Sequence, residues 1–335
     1  MQIIPLTAES LGVRGLSLFV ITEDKRILID PSVSLGPIRN GFPPHLHEIA
    51  ASYLSRQYIM RFWKFTDILI QTHYHADHYS LRIDRPYEFT NQAIAEKLYT
   101  HPNKIILAKS VSRNINYTQK KRAAWLWKDK NIPLFEADGN TFIFDRTQIN
   151  FSEALPHGSV GSKQGWVVSV LISDSYETVL ISSDIMGPGS DIALEFINDK
   201  DADTIILDGP PTYHPKQTLI ETEEAFQRIS KIKKTGPVFI DHHFLRDFRW
   251  NHILENLAPF NEIKTLASLL KLQPLCLESK RIDLFNEIPL DSSFHRKFLA
   301  NDRNICQQIK EKAMQLPQLQ KWNYHLKNLG ENEII

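Results

Sequence analysis

The sequence predicts an α/β protein built on two mixed β-sheets covered by helices, and three observations carry that expectation. Hairpin patterns occur in both halves: residues 16–22 and 26–29 flank the polar turn Glu23, Asp24, Lys25, and residues 166–172 and 178–181 flank a Ser-Asp-Ser turn. Residues 67–72 form a short, almost fully apolar run, as a strand buried on both faces should. Helical apolar spacing then recurs between such strands, at 49–62 and 221–234. Strand hairpins with helices between them imply helix-covered mixed sheets rather than a simple doubly wound parallel sheet.

Along the chain, the first hairpin leads into a Pro- and Gly-punctuated segment, residues 31–48, which is too broken for a regular element. The helix at 49–62 follows, then the strand at 67–72. Helices are expected at 90–98 and 119–127, and strands at 104–109, 141–144 and 148–151. The second hairpin is followed by strands at 203–207 and 237–241, with the amphipathic helix 221–234 between them closed by Gly236. Beyond about residue 250 strand signals stop, and 307–326 is charged and helical in pattern. Residues 1–250 therefore form the main domain, and residues 251–335 a helical C-terminal extension packed on it.

Composition excludes several classes. Of 335 residues, 42% are hydrophobic and 23% charged, the proportions of an ordinary globular protein. Lys plus Arg and Asp plus Glu number 39 each, so no overall field steers the chain onto nucleic acid or an anionic membrane. The triplet Lys231, Lys233, Lys234 reads as a solvated helix face. The longest apolar runs, such as 167–172, fall far below the roughly 20 residues that span a bilayer. The N-terminal segment lacks a basic n-region and is interrupted by Glu9, unlike a signal peptide. Cys276 and Cys306 have neither C-x-x-C spacing nor a histidine neighbour, which fits a reducing cytoplasm.

The informative stretch is residues 71–80, QTHYHADHYS, which sets His73, His75, Asp77 and His78 in an H-x-H-x-D-H pattern directly after an apolar strand. Two histidines one residue apart at a strand end can turn toward one cation, while the Asp-His pair on the following turn faces a second. Other apolar runs end alike: 26–29 in Asp30, 178–183 in Asp184, 204–207 in Asp208, and 238–241 in His242 and His243. Strand ends on one edge are where α/β proteins gather functional groups. Buried carboxylates and imidazoles there are costly unless a cation offsets them. His157 lies in a Gly-bounded loop before a strand. His45 and His47 form another H-x-H, but no strand precedes it, so no metal role is expected.

These residues resemble the metallo-β-lactamase superfamily, and most closely an uncharacterised, mainly archaeal branch of it, over about residues 1–250. The resemblance implies an αββα sandwich in which His73, His75 and His157 hold one divalent metal ion and Asp77, His78 and His242 the other. Asp184 matches the acidic residue that bridges both ions in hydrolases of the superfamily, and Asp30 the aspartate that buttresses the metal-binding loop. Pro156-His157-Gly158 departs from the commoner H-T-x-G-S form. The doublet leaves the last ligand open between its two members, with His242 favoured because it follows Asp241 directly and precedes Arg246 by four. Zn²⁺ is the favoured ion, with Mn²⁺ and Fe²⁺ as alternatives.

The implied activity is a dinuclear metal-dependent hydrolase of a small phosphodiester or related ester, with a shared hydroxide as nucleophile and Asp77 orienting it. Lactamase activity is not expected, because Asp184 suits a bridged centre. Arg246 and Lys163 are candidates for holding a substrate anion, Asp208 and His243 for supporting the ligands, and His214 for protonating a leaving group. The alternatives are an RNA- or DNA-processing nuclease and a lactonase or thioesterase. Nucleic acid is not the favoured partner. A small molecule is, with no membrane and an open oligomeric state.

Overall fold

A computed structural model of the chain describes residues 1–128, 131–233, 235–256 and 263–331. The first sheet runs β1 (Gln2–Pro5), β2 (Leu18–Ile21), β3 (Arg26–Ile29), β4 (Ile68–Gln71), β5 (Ile105–Ala108) and β6 (Leu134–Glu136), in that order. Its first two pairings are antiparallel and the remaining three parallel. The second sheet runs β7 (Thr141–Phe144) and β8 (Thr147–Phe151), and after the ribbon of β9 (Leu155–Pro156) and β10 (Trp166–Val167) continues with β11 (Val170–Ser173), β12 (Thr178–Ile181), β13 (Thr204–Leu207) and β14 (Val238–Ile240). Here too the antiparallel strands come first, and β12, β13 and β14 are parallel. Each sheet thus brings several strand C-termini to one edge, which is where the histidines and aspartates stand.

Period-two alternation explains the layering. In β12, β13 and β14, Val179, Ile181, Ile206 and Phe239 join the core that also holds β3 and β4. Their neighbours Leu180, Ile205, Leu207, Val238 and Ile240 join a second core on the opposite face. That second core is closed by α4 (Asp191–Asn198), α5 (Leu219–Ser230) and α6 (Trp250–Asn256). The first sheet carries α1 (Leu46–Lys64), α2 (Gln92–Tyr99) and α3 (Tyr117–Ala123). The chain ends in α7 (Arg281–Glu287), α8 (Phe294–Leu299), α9 (Arg303–Ala313) and α10 (Gln318–Asn328). Of these, α9 and α10 pack on α1, and Trp322 donates to the Pro5 carbonyl at 2.8 Å. The result is the expected αββα sandwich with a helical C-terminus. No helix among the described residues is long and apolar enough to cross a membrane.

The structure corrects several expected elements. Residues 166–172 do not form one strand. The Val168 amide donates to the Thr72 carbonyl on the other sheet, so the run breaks into β10 and β11. Residues 307–326 are helical as expected, and are divided between α9 and α10, because Pro317 supplies no amide to continue α9. The helix expected at 221–234 starts at Leu219, behind a Thr218–Glu221 capping box, and ends at Ser230. Gly236 does not close it. A Cβ there would lie 1.9 Å from the Asp203 carbonyl oxygen, so this glycine permits two segments to touch. Lys231 and Lys233 are exposed, as expected, whereas Lys234 lies outside the described residues. The strands β1 and β6 and the helix α4 were not anticipated. Helix α1 begins three residues early because His45 caps it, with Glu48 completing the box.

Candidate metal centre

Four of the site's backbone positions lie in the left-handed region without being glycine: Asp30 (φ 45°), Ser183 (55°), Met186 (53°) and His242 (48°). Such positions are strained for residues with a Cβ and persist where the surroundings fix them. Here they turn the chain sharply just after β3, β12 and β14, so side chains from both sheets converge. The loop carrying His157 is set by close backbone contact, since a Cβ on Gly189 would lie 2.8 Å from the Gly158 backbone.

Asp184 is the centre of the cluster. Its carboxylate lies 3.0 Å from His78 Nε2, 3.3 Å from His157 Nε2, 3.5 Å from His73 Nε2, 3.6 Å from His242 Nε2 and 3.7 Å from His243 Nε2. His242 Nε2 is also 3.6 Å from Asp77 Oδ2 and 3.3 Å from His78 Nε2. All of these except Asp77 are buried. The ligand-capable atoms fall into overlapping groups, each within 4.8 Å: His73, His75, His157 with Asp184; Asp77, His78, His242; and Asp184, His242, His243. The sequence-selected ligand candidates thus come together, from the loops after β4, β9, β12 and β14.

A ring of buried carboxylates and hydroxyls orients the imidazoles. Asp30 Oδ2 stands 2.8 Å from His78 Nδ1, and its two oxygens also accept from the Thr72 amide and hydroxyl and from Gln71. Asp208 Oδ2 is 2.9 Å from His243 Nδ1, and its carboxylate accepts the Met186 and Gly187 amides. His73 Nδ1 meets the hydroxyls of Thr72 and Ser183 at 3.1 and 3.3 Å. A carboxylate or hydroxyl on Nδ1 leaves Nε2 facing the cluster, the arrangement seen behind metal-ligating histidines.

The electrostatics of these residues are strongly perturbed. Burial alone would raise the Asp184 carboxyl, but His78, His242, His243 and His73 outweigh it and hold it well below the usual range. Burial would lower His78, yet Asp184 and Asp30 push it well above an ordinary imidazole. Burial pushes His75 down, and the neighbouring histidines His73 and His157 add to that. Asp208 is raised well above the usual carboxylate range by burial and then by Asp184. Opposed shifts among touching groups recur at functional sites, as they also do in buried ion-pair networks.

The residues present fit divalent cations. His73 Nε2, both ring nitrogens of His157 and Asp184 Oδ1 are buried and make no aligned hydrogen bond among the described residues, with Asp184 Oδ1 only in the 3.0 Å ion pair with His78. Such atoms are rare in folded proteins and costly when left so. Imidazole nitrogen and carboxylate oxygen together suit Zn²⁺, Mn²⁺ or Fe²⁺.

No family model matches the chain. It is 36% identical over 290 residues to a UPF0282 protein of Thermococcus gammatolerans, covering 85% of this chain and 95% of that one. The chain belongs to the UPF0282 family. A UPF0282 protein of Saccharolobus solfataricus is 37% identical over 300 residues, covering 86% and 94%. Both relatives are archaeal, as the resemblance implied. Among solved structures, this UPF0282 chain is similar to an isothiocyanate hydrolase from Delia radicum gut bacteria (TM-score 0.46, 15% identity, 76% of this chain and 94% of that one). It is also similar to the metallo-β-lactamase fold protein YhfI from Bacillus subtilis (TM-score 0.42, 14% identity, 72% and 84%).

The centre of the UPF0282 chain opens into a cavity of about 810 Å³. His75, Asp77, His157, Asp184 and His243 form part of its floor, and Lys163 and His214 stand on its walls. Arg246 reaches the same cavity but is buried and engaged. Its Nε donates to Glu9 at 2.7 Å, its Nη1 to the Tyr213 hydroxyl at 3.2 Å, and its Nη2 lies 3.4 Å from Asp77. It therefore braces Asp77 instead of standing free for a substrate anion. Sequence reasoning missed Glu9, Arg39 and Tyr213. Glu9 carries no local signal, because its partner lies 237 residues away. Tyr213, in the segment Pro-Pro-Thr-Tyr-His-Pro after Asp208, was within reach of the strand-end argument.

Proposed function

We propose that this chain is a dinuclear metal-dependent hydrolase acting on a small phosphodiester or a related ester. The observation that carries the reading is the buried cluster of ring nitrogens and carboxylate oxygens around Asp184, several of which make no aligned hydrogen bond among the described residues. His73, His75 and His157 would hold one ion and Asp77, His78 and His242 the other, with Asp184 facing both. His243 would support Asp184 from beside, itself fixed by Asp208. When bound, two divalent cations, Zn²⁺ first among the candidates, supply an acidified water and an electrostatic clamp on the oxygens of an in-line displacement.

The chain's own residues do the rest. The cavity admits a molecule of metabolite size. Asp77, braced by Arg246, orients the attacking water. Lys163 and Lys216 line the cavity wall without an acidic partner among the described residues, which favours an anionic substrate over a neutral lactone. Elemental analysis of metal-loaded protein, with a hydrolysis screen over phosphodiester, phosphomonoester, lactone and thioester substrates, tests the reading. About two ions per chain and diester cleavage are expected. Metal-free protein after loading would remove the basis of the proposal. Rapid lactone opening with no diester cleavage would shift it to a carboxylic ester, and selective cutting of long RNA to a nuclease.

A further inference from the structure

The loop after β13 places one aromatic side chain in an unusual setting. Tyr213 is partly exposed and lines the cavity that reaches Asp77 and Asp184. The Arg39 guanidinium lies over its ring, 4.7 Å from the centroid, and Arg246 is 5.9 Å away. Arg39 is itself tied to the Arg246 carbonyl at 2.9 Å. The loop is held by short backbone bonds, Thr212 to Pro210 and His214 to Pro211, each 2.9 Å, and three prolines restrict it further. Tyr213 is therefore a positioned group.

Its hydrogen bonding leaves one function open. A guanidinium carries only donors, so in the 3.2 Å contact with Arg246 Nη1 the phenolic oxygen must accept. The phenol still has its own proton to give, and no acceptor for it occurs among the described residues. The same guanidinium holds Asp77 through Nη2, so the phenol and the carboxylate that borders the metal cluster are fixed by one rigid fork. His214, the neighbour expected to protonate a leaving group, accepts the Lys216 amide on Nδ1 at 3.2 Å, so its ring proton sits on Nε2 and the His214→Ala variant must separate it from Tyr213.

We propose that Tyr213 is a catalytic residue, the general acid that donates its phenolic proton to the leaving-group oxygen of the substrate. The inference rests on the hydrolase reading. In the step, water oxygen bonds to phosphorus and the bond from phosphorus to the leaving oxygen breaks. The electron pair stays on that oxygen, which takes the Tyr213 proton. One water proton stays on the product and the other returns to solvent, from which the phenolate, beside Arg246, regains its own. Proton donation of this kind contributes in proportion to the basicity of the leaving group.

The test uses full-length, metal-loaded protein and methyl phosphodiesters whose leaving group runs from p-nitrophenolate to phenolate to a primary alkoxide. Tyr213→Phe keeps the ring beneath Arg39. It is expected to lower kcat about 100-fold for the alkoxide and under about threefold for p-nitrophenolate, a steeper leaving-group dependence than wild type. KM, metal content and calorimetric affinity for inorganic phosphate are expected to stay within about threefold, whereas a merely structural tyrosine would lower all substrates alike. Equal loss across the series, or none, overturns the assignment. So does a leaving-group-dependent loss in His214→Ala with Tyr213→Phe unaffected. If wild-type protein binds metal but cleaves no member of the series, the phosphodiester reading and this assignment fail together. If it cleaves the series and only the Tyr213→Phe result disagrees, this assignment fails alone.

Discussion

Two of the places where the chain buries charge follow opposite rules. Beside the C-terminal helices, Arg281 meets Glu48 through two bonds of 2.7 and 2.8 Å and gives two further donors to the Gly36 and Phe42 carbonyls. Arg14 and Glu278 form a second two-bond pair at 2.5 and 2.6 Å. Signs match there, and every guanidinium nitrogen of Arg281 donates at least one hydrogen bond. Around Asp184, five imidazoles face one carboxylate, and four buried polar atoms have no hydrogen bond among the described residues. Both regions carry the desolvation cost of buried polar groups. The matched pairs offset it with opposite charges, whereas around Asp184 buried atoms stay without an aligned hydrogen bond, and the difference separates charges that hold the fold from charges placed for the proposed ions.

If that contrast is right, changes in the two regions should be read by different instruments. Asp184→Asn keeps the volume but removes the charge facing both proposed ions. It should cut turnover of a small diester on the order of 10³-fold and lower metal content by elemental analysis, with the folded structure retained in circular dichroism. Full activity in this variant would erase the distinction. Arg281→Ala leaves Glu48 buried and unpaired, so it should destabilise the chain by about 3–5 kcal/mol in urea titration. Replacing both partners with apolar residues, Glu48→Met with Arg281→Leu, should recover much of that loss, whereas no such double replacement should rescue the Asp184 region.

Metal removal gives a concentration-dependent effect that is smaller per site. A chelator should lower stability by about 2.7 kcal/mol for each proposed ion lost, relative to protein held at a hundredfold excess over the dissociation constant. Identical melting curves with and without metal would contradict the ligand-awaiting half of the contrast. The smallest effect is a pH signature of the matched pairs. Burial alone would raise Glu278, but Arg14, Arg246 and Arg281 hold it down to about 2, below its ordinary 4.5. Between those values the unfolded chain binds the proton and the folded one does not, so stability falls as pH drops through that window. Glu278→Gln should flatten the fall, and urea titrations at pH 3 and pH 6 measure it.

The sequence made the site more legible than the fold's periphery. H-x-H-x-D-H is local, and strand-end aspartates can be found by reading where apolar runs stop. Elements fixed by distant partners were not readable in that way. The break between β10 and β11 depends on the Val168 amide reaching Thr72 on the other sheet, and the roles of Glu9 and Tyr213 depend on Arg246. Helix α4 did carry a signal, Ser190 capping the Ala193 amide before an amphipathic run, but its eight residues are short for periodicity to settle. Pro317 marked the α9–α10 break in plain view.

Arg281 fastens the two ends of the turn at 36–42, and that turn carries Ile38 and Arg39 to the cavity wall. Its bonds to Phe42 and Gly36 span 239 and 245 residues of chain. On the ribosome, at roughly 5–20 residues per second, every residue of the H-x-H-x-D-H motif emerges tens of seconds or so before Arg281 can close this clasp. During that interval the histidines of the motif and His157 can already approach one another while the wall bearing Arg39 is untethered, with His242 and His243 arriving only shortly before Arg281. Synthesis therefore lets one half of the centre take shape before the cavity wall around it is fastened.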